Sequence, residues 1–344
     1  MKKLNQMKAI GTGIALVCFL CLLYFVLRKG ELAWGAAMAG EHAETGASKE
    51  MQRLLWKELS LDGKKYRYSS DYETYLFIGT DASGNEEAEG EEYTGDMADF
   101  LLLAAVNRTE RTYTLLQLNR DTITEISMIG KDGKGEASAD MQLCTAHWFG
   151  GTQQESCENT VKAVSDMLGG IAIDGYYSMS MEELPALNHA AGGVTVTIES
   201  DFSDIDPSMK MGETITLTDE QAYTFVRSRY GVDDEENVSR MARQRQYMEA
   251  LLQKIREKTE EDPGFALRIY EELSQKSVTN VSGGRITDLL AEMAGAEGGG
   301  ILQLEGESRT GQKLGDGIEH AEFYLDKKAI VKTLEKMYNM IEKQ

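Results

Sequence analysis

The sequence predicts a layered α/β domain behind an N-terminal transmembrane helix. Three observations predict it. The 19 residues from Ala9 to Leu27 carry no charge, enough apolar chain to cross a bilayer as a helix. The runs TYLFIG, ADFLLLAAVN and YTLLQLN are strand-length and nearly all apolar, as strands covered on both faces are. Beyond them, segments of helical period alternate with short strand-like runs, the pattern of helices covering a sheet.

The anchor comes first. MKKLNQMK precedes the apolar run and Arg28-Lys29 follow it. A cleaved signal peptide would have a shorter apolar core ending in small residues; here Leu22 to Leu27 run straight into the arginine, and an uncleaved anchor is expected. Lys2, Lys3, Lys8 and the free amine favour the N-terminus inside. The expected organisation is a cytoplasmic tail (1–8), a single membrane span (9–27), a stalk and small hairpin (28–65), an extracytoplasmic α/β domain (66–260) and a helical C-terminal extension of it (261–344). Beyond Lys29 there are 31 Lys and Arg against 57 Asp and Glu. That balance argues against nucleic acid as a partner, because phosphate-backbone binders carry a basic face. Cys144 and Cys157 would lie outside the cell, where a disulfide and two free thiols are both open; no cysteine or histidine spacing matches a zinc site.

Along the chain, Asp62-Gly63 between tyrosine-rich flanks signals a hairpin turn. An acidic loop, Glu86–Glu92, separates the first two apolar strands. ENTVKAVSDMLGG reads as a helix with a glycine stop, IDGYYSMS as a strand, MEELPALNHAAGG as a helix interrupted by Pro185, and VTVTIES as a strand. Thr218 or Asp219 caps the helix TDEQAYTFVRSR, and NVSRMARQRQYMEALLQKIREK is the clearest helix of the chain.

In this acidic protein VRSRYGVDDEENVSRMARQRQ gathers five arginines. On a helical wheel Met241, Met248, Leu251, Leu252 and Ile255 make one face; Gln244 falls inside it, Arg240 at its edge, and Arg245 in solvent. A buried glutamine and arginine need partners, either acidic groups of the fold or a bound anion. Arg227 and Arg229 end the preceding helix, where cations also simply complement the helix dipole. Arg120-Asp121 and Asp81 each follow an apolar strand, and Asp99 precedes one. Ligands of layered α/β folds bind at strand ends. Carboxylates there suit magnesium and arginines suit phosphate; singly, Asp81 also reads as a turn residue and Asp99 as a strand-edge residue.

The ordered set YLFIGTD, ADFLLLAAVN, YTLLQLNRDT, FGGTQQESCENTVKAVSDMLGGIAIDGYYSM, AAGGVTVTI, AYTFVRSR and SRMARQRQ resembles the LytR-CpsA-Psr (LCP) family from about Tyr66 to Lys258, and FYLDKKAIVKTLEKMY resembles family C-termini more weakly. The resemblance implies a membrane-anchored transferase that moves a glycopolymer from a polyprenyl-pyrophosphate carrier onto peptidoglycan. It implies Asp81 and Asp99 as magnesium ligands, Arg120, Arg227, Arg229, Arg240 and Gln244 as pyrophosphate contacts, and Asp121 as the residue that orients Arg120 or assists it. The pattern is also broken. Met97 and Ser83 stand where the family carries arginine, and Gln142, Cys144 and Thr145 where it carries lysine, asparagine and histidine. Arg108 or Arg111 would have to make up the lost charge. A non-catalytic binder of the same lipid-linked glycan, a scaffold or sensor in wall assembly, is the alternative these departures motivate.

Overall fold

The computed structural model describes residues 55–81, 95–129, 135–233, 237–262, 265–282, 285 and 297–343. The expected anchor, most of the stalk, the acidic loop and Ser83 lie outside these residues. Among the described residues no helix is long and apolar enough to cross a membrane. The chain divides into two compact units, one built on His42–Met179 with Val278–Asn280 and Ala296–Gln344, the other on Ser180–Ser277. The α/β part expected to run unbroken from 66 to 260 thus falls across both.

The first unit begins with the hairpin β1 (Trp56–Leu61) and β2 (Lys64–Ser69). Asp62 and Gly63 turn it with φ of 50° and 74°, the pair of left-handed residues that matches the twist of a two-residue hairpin. It is no detached stalk element. Leu59, Tyr66 and Tyr68 point into the core, and β15 (Ile341–Glu342), from the far end of the chain, pairs with β2.

The main sheet has six strands, in the order β11 (Ser277–Thr279), β8 (Gly175–Ser180), β3 (Tyr72–Thr80), β4 (Ala98–Asn107), β5 (Thr112–Leu118) and β12 (Glu297–Gln303). β3, β4 and β5 are antiparallel neighbours, and β12 joins β5 in parallel. β4 is buried at nearly every position, as its unbroken apolar run predicts. Alternate residues Leu76, Leu101, Leu103 and Leu116 share a core cluster with Val164 and Leu168 around α1 (Gln153–Met167), and with Ile330, Leu334 and Tyr338 of α6 (Lys327–Tyr338). Tyr338, fully buried, meets the Thr74 hydroxyl at 3.0 Å. Two antiparallel pairs, β6 (Ile123–Ile129) with β7 (Gly135–Gln142) and β13 (Gly306–Gly311) with β14 (His320–Leu325), complete the unit. Residues 261–344, expected to be helical, therefore carry five strands of two to seven residues besides two helices among the described residues. GILQLEGESRTG lacks helical period, and its glycines favour extended pairing.

The second unit holds α2 (Leu184–Ala191), the short strands β9 (Thr195–Thr197) and β10 (Thr214–Thr216), α3 (Asp219–Arg227), α4 (Asn237–Glu261) and α5 (Phe265–Ser274). Pro185 does not interrupt a helix; it sits in the first turn of α2, where its missing N–H costs nothing. Gly192 ends α2 in the left-handed conformation. Thr218 starts α3 with a full capping box to Gln221.

Candidate active site

The strand ends of the first unit bring four of the expected residues together. Antiparallel pairing of β3 with β4 slips by one residue at Gly79/Thr80, an irregularity of the kind that re-aims side chains beside functional sites. Past the slip, Asp81 N–H donates to Met97 O at 3.1 Å and Met97 N–H donates to Asp81 Oδ1 at 2.8 Å. Asp81 is thus pinned as β3 ends, and Asp99 sits two residues beyond Met97, inside β4 rather than before it.

Arg120 arrives from the turn after β5. The Asn119 side chain accepts from Asp121 N–H at 2.9 Å, and the Asn119 carbonyl accepts from Thr122 Oγ1 at 2.7 Å, a local side-chain turn typical of asparagine. Cys144 N–H holds Arg120 O at 2.9 Å. The guanidinium is ion-paired through Nη1 with Asp99 Oδ1, and its Nε lies 3.5 Å from Asp121 Oδ1. Its Nη2 reaches two sulfurs, Met97 Sδ at 2.8 Å and Cys144 Sγ at 3.2 Å. Burial works against the Arg120 charge, but Cys144, Asp121 and Asp81 outweigh it and hold the group above the usual arginine pKa.

Both sulfur contacts fall at positions where the LCP pattern has other residues. Met97, in place of a family arginine, uses its thioether as a weak acceptor for the remaining arginine. Gln142 donates to Ala321 O at 2.6 Å, and Thr145 donates to Gln142 O at 2.7 Å; neither contacts Arg120. Nor do Arg108 and Arg111 make up the charge. They lie at the β4–β5 turn, at the opposite end of β4 from Asp99, and Arg108 is paired with Glu73 at 3.1 Å.

Cys144 and Cys157 are free and buried, which settles the pairing question left open by the sequence. Cys157 Sγ lies 3.6 Å from His147 Nε2, and burial pushes its thiol up to about 11. Burial also lowers the pKa of His147, whose Nδ1 lies 3.0 Å from Asp96 O. A buried neutral imidazole beside a thiol of that pKa is packing, not a nucleophile and its base.

Asp81 and Asp99 can be tested as a magnesium pair. Magnesium takes one or two carboxylates and completes its shell with water and substrate phosphate, so hard oxygen ligands in this number fit. Among the described residues Asp81 uses only Oδ1, leaving Oδ2 for a ligand. No cluster of three or more His, Cys, Asp or Glu fit to hold a metal exists among the described residues; a protein-only cage is absent and substrate oxygens would have to complete the shell.

The other expected residues belong to the second unit. Arg227 ends α3, Arg229 lies two residues beyond it, and both are half-buried. Arg227 stacks on Tyr223 and lies 3.7 Å from Glu182, and its Nη1 is buried without a hydrogen bond. Arg229 stacks on Tyr230, whose hydroxyl accepts from its Nη2 at 2.6 Å. Arg240, buried, donates through Nε and Nη2 to Asn237 Oδ1 at 3.2 and 2.7 Å. Gln244, also buried, donates to Val226 O at 3.5 Å; its partner is a helix carbonyl of its own unit. Arg245 is half-buried rather than solvated, and burial lowers its pKa. Arg243 was not marked out from the sequence, yet it is the most buried arginine of the cluster at 3% exposed. Its spacing from Arg240 and Tyr247 (i, i+3, i+7) was the available signal.

The chain matches the LytR-CpsA-Psr family over residues 36–339, and it belongs to that family. Among curated relatives, Biofilm regulatory protein A of Streptococcus mutans is 29% identical over 68% of this chain and 57% of its own length. The Enterococcus faecalis protein named polyisoprenyl-teichoic acid–peptidoglycan teichoic acid transferase TagU is 28% identical over 74% of this chain and 73% of its own. The chain thus spans between about half and three quarters of these relatives. The solved structure of gbs0355 from Streptococcus agalactiae superposes with TM-score 0.62 at 25% identity, covering 79% of this chain and 90% of that one. TagT bound to LI-WTA superposes with TM-score 0.56 at 22% identity, covering 78% and 90%.

Proposed function

We propose that this protein is a membrane-anchored, extracytoplasmic transferase that moves a glycopolymer from a polyprenyl-pyrophosphate carrier onto peptidoglycan. The observation that carries the proposal is the Arg120 guanidinium fixed between Asp99 and Asp121, with Asp81 alongside. Three carboxylates around one guanidinium repel a bare pyrophosphate. They accept one that arrives with a divalent cation, which is the physical reason to include magnesium. Relatives whose names describe teichoic acid transfer to peptidoglycan support the substrate class.

In this reading a sugar hydroxyl of peptidoglycan attacks the phosphorus nearest the glycan. The bond to the carrier's phosphate breaks, polyprenyl phosphate leaves, and a phosphodiester remains. Bound magnesium, held by Asp81 and Asp99, would supply neutralisation of the phosphoryl oxygens. Arg120 stabilises charge on the leaving phosphate from a pre-set position, and Asp121 keeps its planar fork in place. Arg227 and Arg229, cations half-open to solvent in the second unit, are proposed as further phosphate contacts. Arg240 shares that role, while Gln244 acts through the α3 backbone. Positioning and charge do most of the work, as in other phosphoryl transfers.

One observation favours a second reading. Arg120 Nη2 faces the sulfurs of Met97 and Cys144 where the family pattern places an arginine and an asparagine, so the chain would bind the lipid-linked glycan without turning it over. Incubating the full chain in proteoliposomes with labelled polyprenyl-pyrophosphate glycan and peptidoglycan separates the two. Label in the peptidoglycan, dependent on Asp81 and Arg120, supports the transferase; bound but untransferred glycan supports the binder.

A further inference from the structure

We propose that Arg243 is a positioning residue that sets the Arg227–Arg229 segment, holding the end of α3 in the one conformation that presents both arginines. The inference rests on the proposed phosphate role of those two residues.

The last carbonyls of an α-helix lack partners within it, and helices commonly supply them by ending on a left-handed glycine. α3 ends at Arg227 and continues as Ser228-Arg229, with Ser228 extended (φ −62°, ψ 138°). No glycine closes it, so partners must come from elsewhere. α4 provides them. Arg243 Nε donates to Phe225 O at 3.0 Å, Arg243 Nη2 donates to Ser228 O, and Gln244 Nε2 approaches Val226 O at 3.5 Å.

The arginine is itself held. Its Nη1 lies 3.4 Å from Asp233 Oδ2 and 3.5 Å from Ser200 Oγ, and its guanidinium sits 5.5 Å from the centre of the Phe202 ring. A planar guanidinium can grip carbonyls on both sides of Arg227 at once; a lysine ammonium cannot reproduce that fork. Arg243 itself, buried and turned onto backbone oxygens, is not placed to meet a ligand. Its effect on phosphate binding must pass through the segment it holds.

The test uses the full chain in detergent with Arg243→Lys, Arg227→Ala and the double variant. The first readout is amide hydrogen exchange without ligand. Arg243→Lys is expected to speed exchange across 225–233 while α1 is unchanged. The second is affinity for inorganic pyrophosphate with magnesium. Arg243→Lys is expected to weaken it about tenfold, and adding Arg227→Ala is expected to cause little further loss, because one variant already spoils what the other removes. Unchanged exchange across 225–233 overturns the clamp. Faster exchange with wild-type affinity, or fully additive losses, overturns the positioning role and leaves Arg243 a stability residue. A wild-type chain that binds no pyrophosphate contradicts the transferase reading instead, and the exchange readout still decides the clamp.

Discussion

The guanidinium of Arg120 is ion-paired with the carboxylate of Asp99, and the two side chains are only 15% and 8% exposed. A buried pair of this kind is costly to break from one side, because the survivor is left charged and unpaired. Arg120→Met and Asp99→Leu are each expected to destabilise the fold by about 3 to 5 kcal/mol. The double variant should lose less than either alone. Urea unfolding of the three variants checks this, and additive losses would contradict it.

Met97→Arg restores a cation at a position where the family carries one. Without ligand it sets a second guanidinium beside Arg120, and the melting temperature should fall. With magnesium and pyrophosphate the order should reverse. A charge-assisted contact of roughly 1.5–3 kcal/mol would tighten binding by about tenfold or more. Thermal shift with and without the ligand reads both signs.

Cys157 predicts a pH effect. Burial raises its folded-state pKa to about 11 from an ordinary thiol value of 9.0. A raised acid pKa means that the folded state keeps its proton longer than the unfolded chain. The resulting stability is complete below pH 9 and lost as pH rises through about 11, on the order of 3 kcal/mol for two pH units. Cys157→Ala should flatten that part of a stability–pH curve, and native Cys157 should resist thiol reagents at pH 8. Rapid labelling of the folded protein at pH 8 would contradict the assignment.

Gly95 leads into the Asp96-Met97 segment. A Cβ there would collide with His147 O and meet Trp148 Cα at 2.8 Å, both backbone atoms. Gly95→Ala must therefore shift the strand entry that hydrogen-bonds Asp81. A loss of about 1–3 kcal/mol in stability is expected, together with weaker magnesium-dependent binding of pyrophosphate. Unchanged binding and melting would show that the contact relaxes freely.

Much of this was legible in the sequence, and the parts that were not share a physical cause. β4 could be read because an apolar run covered on both faces has one meaning. The Asp62-Gly63 turn and the Thr218 cap follow from local chemistry alone. The 297–325 strands were missed because weakly patterned, glycine-containing segments become strands only through partners distant in sequence, as β12 does beside β5. At the site, Asp121 beside Arg120 was expected from their adjacency; the ion pair of Arg120 with Asp99, read from the sequence only as a magnesium ligand, was not. The contacts of Met97 and Cys144 with Arg120 were not, since nothing along the chain indicates which side chains meet at strand ends. Arg243 was hidden by convention: an arginine on a helix is usually surface, and its spacing from Arg240 and Tyr247 was a faint signal beside the carbonyl partners the structure gives it at the end of α3.

The most direct test of the central claim is phosphate release from polyprenyl pyrophosphate by the full chain in detergent, with and without magnesium. Asp81→Asn and Arg120→Lys, milder changes than removal of the buried pair, would be run beside it, with folding checked by circular dichroism. The account predicts magnesium-dependent release that both variants lose. A well-folded wild-type chain that binds the lipid and releases no phosphate would contradict catalysis at this site.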